Sequence, residues 1–186
     1  MPILEHQPDI YPHTLLHDEF LASRTDSTWW IATTRPRAEK KLITKLAQHE
    51  IPHYCPLFAK RYRSPAGRIR TSYNPLFPNY VFINSTEDER YSALTTDQIC
   101  RLVHVVDESQ LITELRQVQR AIESGIPLMP ESKLHPGARV RVKNGPFRDF
   151  EGQVIRREGK TRLLLTIAFL ESGVSMELDE CQVVPL

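Results

Sequence analysis

The chain has 186 residues, of which 40% are hydrophobic and 25% are charged, and this composition is typical of a folded globular protein. No run approaches the roughly 18 consecutive apolar residues of a membrane span, and the first residues lack the basic and apolar regions of a secretion signal. We therefore expect a cytoplasmic protein with no membrane partner. Cys55, Cys100 and Cys181 are widely spaced, which argues against a disulfide framework. We interpret all three as reduced and mostly buried.

The net charge of +1 is unevenly distributed along the chain. Residues 1–28 carry one base and five acids, whereas residues 29–122 carry fourteen bases and nine acids. A basic middle segment indicates an anionic partner such as nucleic acid. An ordinary solvated surface explains the same charges.

Residues 1–28 show no sustained period of a helix or a strand. We interpret them as an N-terminal tail that is either disordered or loosely docked. The histidines of this tail, His6, His13 and His17, lack the cysteine partners or the tight spacing of a structural metal site. We expect neither a metal nor a cofactor.

Ordered structure is predicted to begin with an aromatic and β-branched strand at residues 29–34. Pro36 then suits the first turn of a helix. The apolar face of this helix comprises Ala38, Leu42, Ile43, Leu46 and Ala47. Arg37, Lys41 and Lys45 follow one another at i, i+4 and i+8 along its flank. Such a stripe is either a solvated helix face or a surface that grips successive phosphates.

A basic hairpin is predicted after a proline-restricted edge strand at residues 51–59. Residues 60–73 form two arms around a Ser-Pro-Ala-Gly turn, and basic residues alternate with Tyr or Ile in each arm. The arginines that we expect to contact nucleic acid are Arg61, Arg63, Arg68 and Arg70. The simpler alternative is that these charges protect an edge hairpin from aggregation.

The stretch NPLFPNYVFIN, residues 74–84, combines two prolines with a dense apolar run. Alternation along Tyr80, Val81, Phe82 and Ile83 predicts a strand with two occupied faces. We expect Tyr80 and Phe82 to point outward, where an aromatic pair suits a partner helix, and Val81 and Ile83 to face the opposite side. The alternative is that both rings belong to the core.

The remaining N-terminal elements complete the order βαββαβα. Thr86 and Glu89 predict a capping box that opens a short helix, followed by a strand at residues 99–106 and a helix at residues 111–124. This order predicts an α+β fold in which about three helices cover an antiparallel sheet. We place this domain at residues 29–124 and a proline-rich linker at residues 125–135.

Residues 136–186 contain five short predicted strands, which favours a small five-stranded β-barrel. Turns are predicted at residues 144–145, 158–159 and 172–173. The segment GARVRVKNGPFRDFEGQVIRREGKTRLLLTI resembles a KOW motif with its GPFxxFEG signature. The residues that we associate with this motif are Gly145, Pro146, Phe147, Phe150, Gly152 and Phe169.

Two upstream segments, WWIATTRPRAEKKLITKL and PLFPNYVFI, resemble the N-terminal (NGN) domain of the NusG family of transcription elongation and antitermination factors. In this family the strand after FPNY faces the clamp helices of the largest RNA polymerase subunit. The resemblance therefore implies polymerase contacts by Leu76, Phe77, Pro78, Asn79, Tyr80 and Phe82, with Tyr80 and Phe82 as the principal contacts and Pro78 and Asn79 shaping the approach. It also implies contacts with non-template or upstream DNA by Arg35, Arg37, Lys41 and Lys45.

Two departures from the general factor bear on specialisation. The chain reads LFPNY where the general factor has FPGY, and in this it resembles the operon-specific RfaH-like and UpxY-like members. At the barrel tip, FLESG at residues 169–173 retains the aromatic residue of the family's Phe-Gly-Arg tip. The loss of Gly-Arg argues against termination factor Rho and leaves a ribosomal protein as the partner that the resemblance implies.

We expect a monomeric factor that suppresses pausing or termination. No P-loop, GxSxG or Cys/His nucleophile setting occurs in the sequence, so we do not expect an enzyme. The alternative function is that of a KOW-type protein that binds the ribosome or RNA.

Overall fold

This computed structural model describes residues 8–63, 67–131, 137–145, 147–157, 160–178 and 183–186. The described residues form four α-helices, one short 3-10 helix (Ala168–Leu170) and thirteen strands. The helices are α1 (Asp18–Ser23), α2 (Glu39–Gln48), α3 (Glu87–Leu94) and α4 (Glu108–Glu123). The strands are β1 (Ile10–Tyr11), β2 (Thr28–Thr34), β3 (His53–Tyr54), β4 (Leu57–Arg63), β5 (Ile69–Pro75), β6 (Tyr80–Ser85), β7 (Ile99–His104), β8 (Met129–Glu131), β9 (Arg139–Val142), β10 (Glu151–Arg157), β11 (Lys160–Ile167), β12 (Ser172–Glu177) and β13 (Val183–Pro185). The chain separates into two compact units, residues 1–108 and residues 109–186.

The first unit is built on an antiparallel sheet with the strand order β1-β3-β6-β2-β7. One face of this sheet carries Val81 and Ile83, which pack in a core with Leu42, Ile43 and Leu46 of α2. The apolar face predicted for the first helix and the direction predicted for Val81 and Ile83 are both confirmed. The α+β fold predicted for this part of the chain is confirmed as well.

The capping box predicted at the start of α3 is present. Thr86 Oγ1 accepts the N–H of Glu89, and Glu89 Oε2 accepts the N–H of Thr86 at 2.8 Å. These reciprocal bonds satisfy two backbone donors that have no partner within the helix. A local sequence signal was sufficient here because both partners lie within one turn.

Helix α2 begins at Glu39, three residues after Pro36. Arg37 has a φ of 62°, in the left-handed region, so the chain cannot continue a right-handed helix through it. The predicted start was therefore too early, and Arg37 lies before the helix rather than on its flank. The three-residue stripe of Arg37, Lys41 and Lys45 is correspondingly wrong as a single helical row.

Residues 8–28 are docked rather than disordered. Ile10 and Tyr11 pair with Tyr54 and His53 of β3, and Leu15 and Leu16 are buried. The segment shows no sustained period because its regular elements, β1 with two residues and α1 with six, are too short to produce a repeat. Of the two alternatives, disorder and loose docking, the structure shows docking for these residues, and residues 1–7, with His6, lie outside the described part.

The second unit contains a sheet with the strand order β13-β9-β10-β11-β12-β8. Its five strands between residues 139 and 185 match the predicted β domain, and β8 adds a short strand from the predicted linker. Pro130 is tolerated in β8 because this strand lies at the sheet edge. The turn predicted at residues 172–173 was wrong, because Ser172 and Gly173 pair with β11 and the chain reverses at residues 168–171.

Helix α4 contacts the strands of the second unit through its polar side chains. Glu114 Oε2 accepts the N–H of Ala168 at 3.1 Å, and Gln117 Oε1 accepts the N–H of Glu151 at 2.8 Å. The guanidinium of Arg120 lies 4.5 Å from the ring centre of Phe150. The helix predicted at residues 111–124 is therefore present as α4 and packs with the C-terminal strands. The predicted domain limits, residues 29–124 and 136–186, stay a prediction.

The cysteines differ in their surroundings. Cys55 is buried, as predicted, but Cys100 is exposed on β7, at the open edge of the N-terminal sheet. Cys181 lies outside the described residues. Across the part of the chain that the structure describes, no helix is long and apolar enough to cross a membrane.

Candidate functional site

A tight turn over residues 77–80 precedes β6 and forms the centre of the candidate site. Tyr80 N–H donates to the carbonyl of Phe77 at 3.2 Å, and Asn79 has a φ of 69°. Proline in the second position and a positive φ in the third are the signature of a type II turn. Asn is among the few residues that adopt this φ readily, and Gly is another. The turn geometry therefore accommodates both FPNY and FPGY.

The turn is fixed by hydrogen bonds on both sides of Asn79. The N–H of Asn79 donates to Oε1 of Glu39 at 2.7 Å, and its carbonyl accepts the N–H of Thr34 at 2.8 Å. Glu39 is a buried carboxylate in the first turn of α2, where the helix dipole favours negative charge. Sequence reasoning missed Glu39, because nothing local connects it with a residue forty positions later.

Phe82 does not point outward. Its side chain is fully buried, and Phe77 packs edge-on against it with ring centres 6.1 Å apart. The turn brings the preceding residues back over β6, so Phe77 covers the ring of Phe82. This ring lies on the face of β6 opposite Val81 and Ile83. The predicted outward orientation of Phe82 was wrong, and the alternative of a core residue is correct for it.

Only part of the predicted polymerase-binding set reaches the surface. Leu76 and Phe77 are buried like Phe82, whereas Pro78 is exposed and Asn79 and Tyr80 are partly exposed. Tyr80 shares the face of Phe82, since the two are separated by one residue in the strand. The surface of this motif therefore consists of Pro78, Asn79 and Tyr80.

The basic residues around the start of α2 are not equivalent. Arg35 is exposed and pairs with Asp97 at 3.0 Å, and Lys45 Nζ donates to the carbonyl of Thr96 at 2.7 Å. Arg37 and Lys41 are exposed. Because Arg35 is paired with a carboxylate and Lys45 with a backbone carbonyl, Arg37 and Lys41 are the exposed residues of this group whose side chains are most available to an external anion.

The basic hairpin is a separate two-stranded sheet of β4 and β5. Arg61 pairs with Thr71, Tyr62 with Arg70 and Arg63 with Ile69. Directly opposed residues share a face and alternate along each strand. One face therefore carries Arg61, Arg63, Ile69 and Tyr73, and the other carries Lys60, Tyr62 and Arg70. The predicted interleaving is present, but it distributes the bases over two faces.

The hairpin lies in a stretch of sequence without acidic residues. No Asp or Glu occurs between residues 51 and 86, whereas Lys60, Arg61, Arg63, Arg68 and Arg70 all lie there. The five basic residues are exposed. An exposed, uniformly positive hairpin is complementary to a polyanion.

The KOW residues divide into structural and exposed positions. Phe147 and Phe150 are buried with ring centres 5.7 Å apart, and a Cβ at Gly152 would lie 2.4 Å from the carbonyl oxygen of Leu164. Gly145 has a φ of 84°, as its turn requires. Phe169 is 50% exposed at the reversal between β11 and β12. Pro146 lies outside the described residues.

His53 is a buried polar residue that the sequence did not single out. Its Nδ1 is 2.8 Å from the carbonyl of Ile51, and Tyr11 stacks on its ring. Burial lowers the pKa of His53 from 6.5 to about 4, and the hydrogen bond to Ile51 opposes this shift. His53 is therefore neutral near pH 7. Among the described residues, no three His, Cys, Asp or Glu side chains are grouped so that they could hold a metal ion.

Two family models match the chain. The model of transcription termination factor nusG matches residues 27–136, and the model of the KOW motif matches residues 136–167. The transcription termination/antitermination protein NusG of Pseudomonas aeruginosa is 29% identical over 125 residues, which cover 63% of this chain and 70% of that protein. The protein of the same description from Buchnera aphidicola subsp. Baizongia pistaciae is 29% identical over 131 residues, which cover 63% and 69%.

Two solved structures are also similar to this chain. One, described as the domain interaction in Thermotoga maritima NusG, has a TM-score of 0.47 and 20% identity and covers 84% of this chain and 96% of that chain. The other is the MjSpt4:Spt5 complex in conformation B, with a TM-score of 0.31, 15% identity and coverage of 85% and 97%.

Proposed function

Because the chain belongs to the NusG family of transcription termination/antitermination factors, as its match over residues 27–136 shows, we propose that it binds RNA polymerase and suppresses pausing or termination. The N-terminal domain docks on the clamp helices of the largest subunit, and its basic surfaces hold non-template or upstream DNA. The C-terminal sheet recruits a further partner. The factor acts by bridging these molecules and carries out no covalent chemistry.

The turn before β6 supports the polymerase contact. Pro78, Asn79 and Tyr80 form a rigid projection, because Asn79 is hydrogen-bonded on both sides and φ is fixed at Pro78. A preorganised surface loses little conformational freedom on binding. Leu76, Phe77 and Phe82 support this projection from within the core and are not themselves contact residues.

Co-purification with RNA polymerase tests this docking surface. Replacing Tyr80 by Ala is expected to reduce the polymerase bound by the full chain by about tenfold, as for an aromatic residue that contributes strongly at an interface. Tyr91→Ala is the matched control, since Tyr91 is 70% exposed on α3. Equal polymerase binding by both variants and the unmodified chain would remove Tyr80 from the interface.

The DNA contact is supported by the charge of the hairpin and by the exposed bases near α2. Replacing Arg61 and Arg63 together by Ala should weaken DNA binding similarly for all sequences and reduce its salt dependence by about one unit per lost contact. The matched control replaces Arg139 and Arg156, which are exposed in the C-terminal sheet. An equal loss in both double variants would indicate a general charge effect instead of a DNA surface on the hairpin.

Phe169 supports a protein partner for the C-terminal sheet, because a half-exposed aromatic ring at a chain reversal suits a contact with a ribosomal protein. It also favours the second candidate, a ribosome- or RNA-binding protein. Phe169→Ala in the full chain should abolish sedimentation with ribosomes while polymerase binding persists. Loss of both would support the second candidate, in which the ribosome accounts for all partner binding.

The motif LFPNY supports an operon-specific role by resemblance, although the type II turn accepts Asn and Gly alike. Chromosomal occupancy measured beside that of RNA polymerase separates the two roles. A few discrete loci are expected for an operon-specific factor. Even coverage of transcribed genes would assign the general role.

A further inference from the structure

The N-terminal segment, defined here as residues 8–28, is almost entirely outside the family match, which begins at residue 27. It is nevertheless tied to the first unit at three places. Strand β1 pairs with β3, Leu15 and Leu16 are buried, and Arg24 forms an ion pair with Glu89 and a hydrogen bond to Asn84 at 3.1 Å. The N-terminal segment is therefore a structural part of the first unit and not a loose tail.

Asp9 connects this segment to the base of the hairpin. Its backbone carbonyl accepts the N–H of Cys55 at 2.7 Å, and its Oδ2 accepts the N–H of Leu57 at 3.4 Å. Between these two residues, the carbonyl of Pro56 accepts the N–H of Leu76 from the other end of the hairpin at 2.8 Å. Asp9 therefore binds the backbone on both sides of Pro56, just before β4 and at its first residue.

A two-stranded hairpin is marginally stable by itself. Strands β4 and β5 pair with each other and with no other strand among the described residues, so the direction of the hairpin depends on how its base is fixed. Fixing the base in advance lowers the ordering cost when the exposed basic residues meet a polyanion. Loosening the base raises that cost without removing a single positive charge.

We propose that the N-terminal segment positions the basic hairpin for nucleic acid, with the Asp9 carboxylate as the positioning group. This inference rests on the proposed DNA contact of the hairpin. Asp9 itself touches no DNA, and its negative charge opposes binding. The charge and the positioning role of Asp9 therefore have opposite effects on affinity, which makes them separable by experiment.

The test compares Asp9→Ala with Asp9→Asn in the full chain. Both substitutions remove the same charge, but Asn retains an acceptor oxygen for the N–H of Leu57. The probe is a labelled single-stranded DNA of about 20 nucleotides, which exceeds a typical binding site. We expect Asp9→Ala to weaken binding by about threefold to tenfold, as for a lost hydrogen bond, and Asp9→Asn to bind at least as well as the unmodified chain. Amide hydrogen exchange at Leu57 should accelerate in Asp9→Ala alone.

The outcomes distinguish this inference from the function on which it rests. Equal or improved binding by both Asp9 variants, while replacement of Arg61 and Arg63 weakens binding, would overturn the positioning role and leave the DNA contact standing. Unchanged binding after replacement of Arg61 and Arg63 would overturn the DNA contact and the positioning role together. Weaker binding by Asp9→Ala with rescue by Asp9→Asn supports both.

Discussion

The backbone N–H of Asn79 donates a hydrogen bond to Oε1 of Glu39 at 2.7 Å, which joins the turn before β6 to the first residue of α2. Glu39 is 5% exposed, so water cannot readily replace its carboxylate. A buried carboxylate whose bond partner is forty residues away links two elements that otherwise meet through apolar packing. The position of the candidate docking surface therefore depends on a polar contact.

Glu39→Ala is expected to lower the free energy of unfolding by about 1–3 kcal/mol, because it leaves the N–H of Asn79 without its acceptor. Urea denaturation of the full chain measures this change. Glu39→Gln retains an acceptor oxygen and should lose clearly less. Equal losses in the two variants would assign the effect to the carboxylate charge instead of the hydrogen bond.

Asn79→Gly should change stability by a few tenths of a kcal/mol, because Gly adopts the positive φ of this position without strain. Asn79→Ala should cost about 1–2 kcal/mol, since a Cβ without a compensating polar group is disfavoured there. Thermal denaturation compares the two. Similar losses in the two variants would mean that the side chain of Asn79, rather than its backbone conformation, stabilises the turn.

Stability should decrease as the pH falls from 6.5 towards 4 because of His53. The pKa of this residue is lowered by burial to about 4 in the folded chain, against 6.5 when unfolded, so the unfolded state binds the additional proton first. The stabilising contribution is complete above pH 6.5, and up to about 3 kcal/mol is lost across the window. Urea denaturation at several pH values, compared with His53→Gln, isolates this contribution. A His53 ring that titrates near pH 6.5 by NMR would contradict the prediction.

Gly152→Ala should destabilise the C-terminal sheet by more than about 2 kcal/mol, because the new methyl group would lie 2.4 Å from the carbonyl oxygen of Leu164. Gly125→Ala provides the comparison, since nothing lies within 4 Å of its Cβ and strain from its positive φ of 70° is the cost. In thermal denaturation, Gly152→Ala should have a lower melting temperature than Gly125→Ala. A reversed ranking would mean that the strands separate to admit the methyl group.

The two described cysteines should differ strongly in reactivity. Burial raises the pKa of the Cys55 thiol far above its usual range, whereas Cys100 is exposed. In a Cys181→Ser background, a thiol reagent should label Cys100 rapidly and Cys55 only in denaturant. Additional replacement of Cys100 by Ser should abolish the rapid phase. Persistence of that phase would place Cys55 within reach of the reagent.

Features that depend on neighbouring residues were predictable from the sequence. The capping box, the alternation along β6 and the apolar face of α2 each require only a local pattern. The pattern along β6 separated Val81 and Ile83 from Phe82 but could not show that Phe77 covers the second face. That contact depends on the turn between them, so the docking surface was predicted around a ring that lies in the core.

Long-range contacts explain the other differences. Asp9, Leu15 and Leu16 carry no periodic signal, yet both leucines are buried and the carbonyl of Asp9 accepts the N–H of the distant Cys55. Lys45 looked equivalent to Lys41 on the helical wheel, but Thr96 captures its ammonium group. A helical wheel shows only the direction of each side chain around the helix axis. It cannot show that the carbonyl of Thr96, from another part of the chain, lies beside Lys45.

The docking of β1 also limits how copies of this chain can associate through their sheets. Sheet edges pair readily with one another, and a molecule with one accessible edge stops at a dimer, whereas two accessible edges permit open-ended growth. Strand β1 occupies the edge opposite β7 and is only two residues long, with Pro8 and Pro12 on either side of residues 9–11 and no N–H at either proline. A chain shortened to begin at residue 27 would lose this short edge strand. A second sheet edge would then be accessible, so copies of the chain could pair edge to edge into fibres.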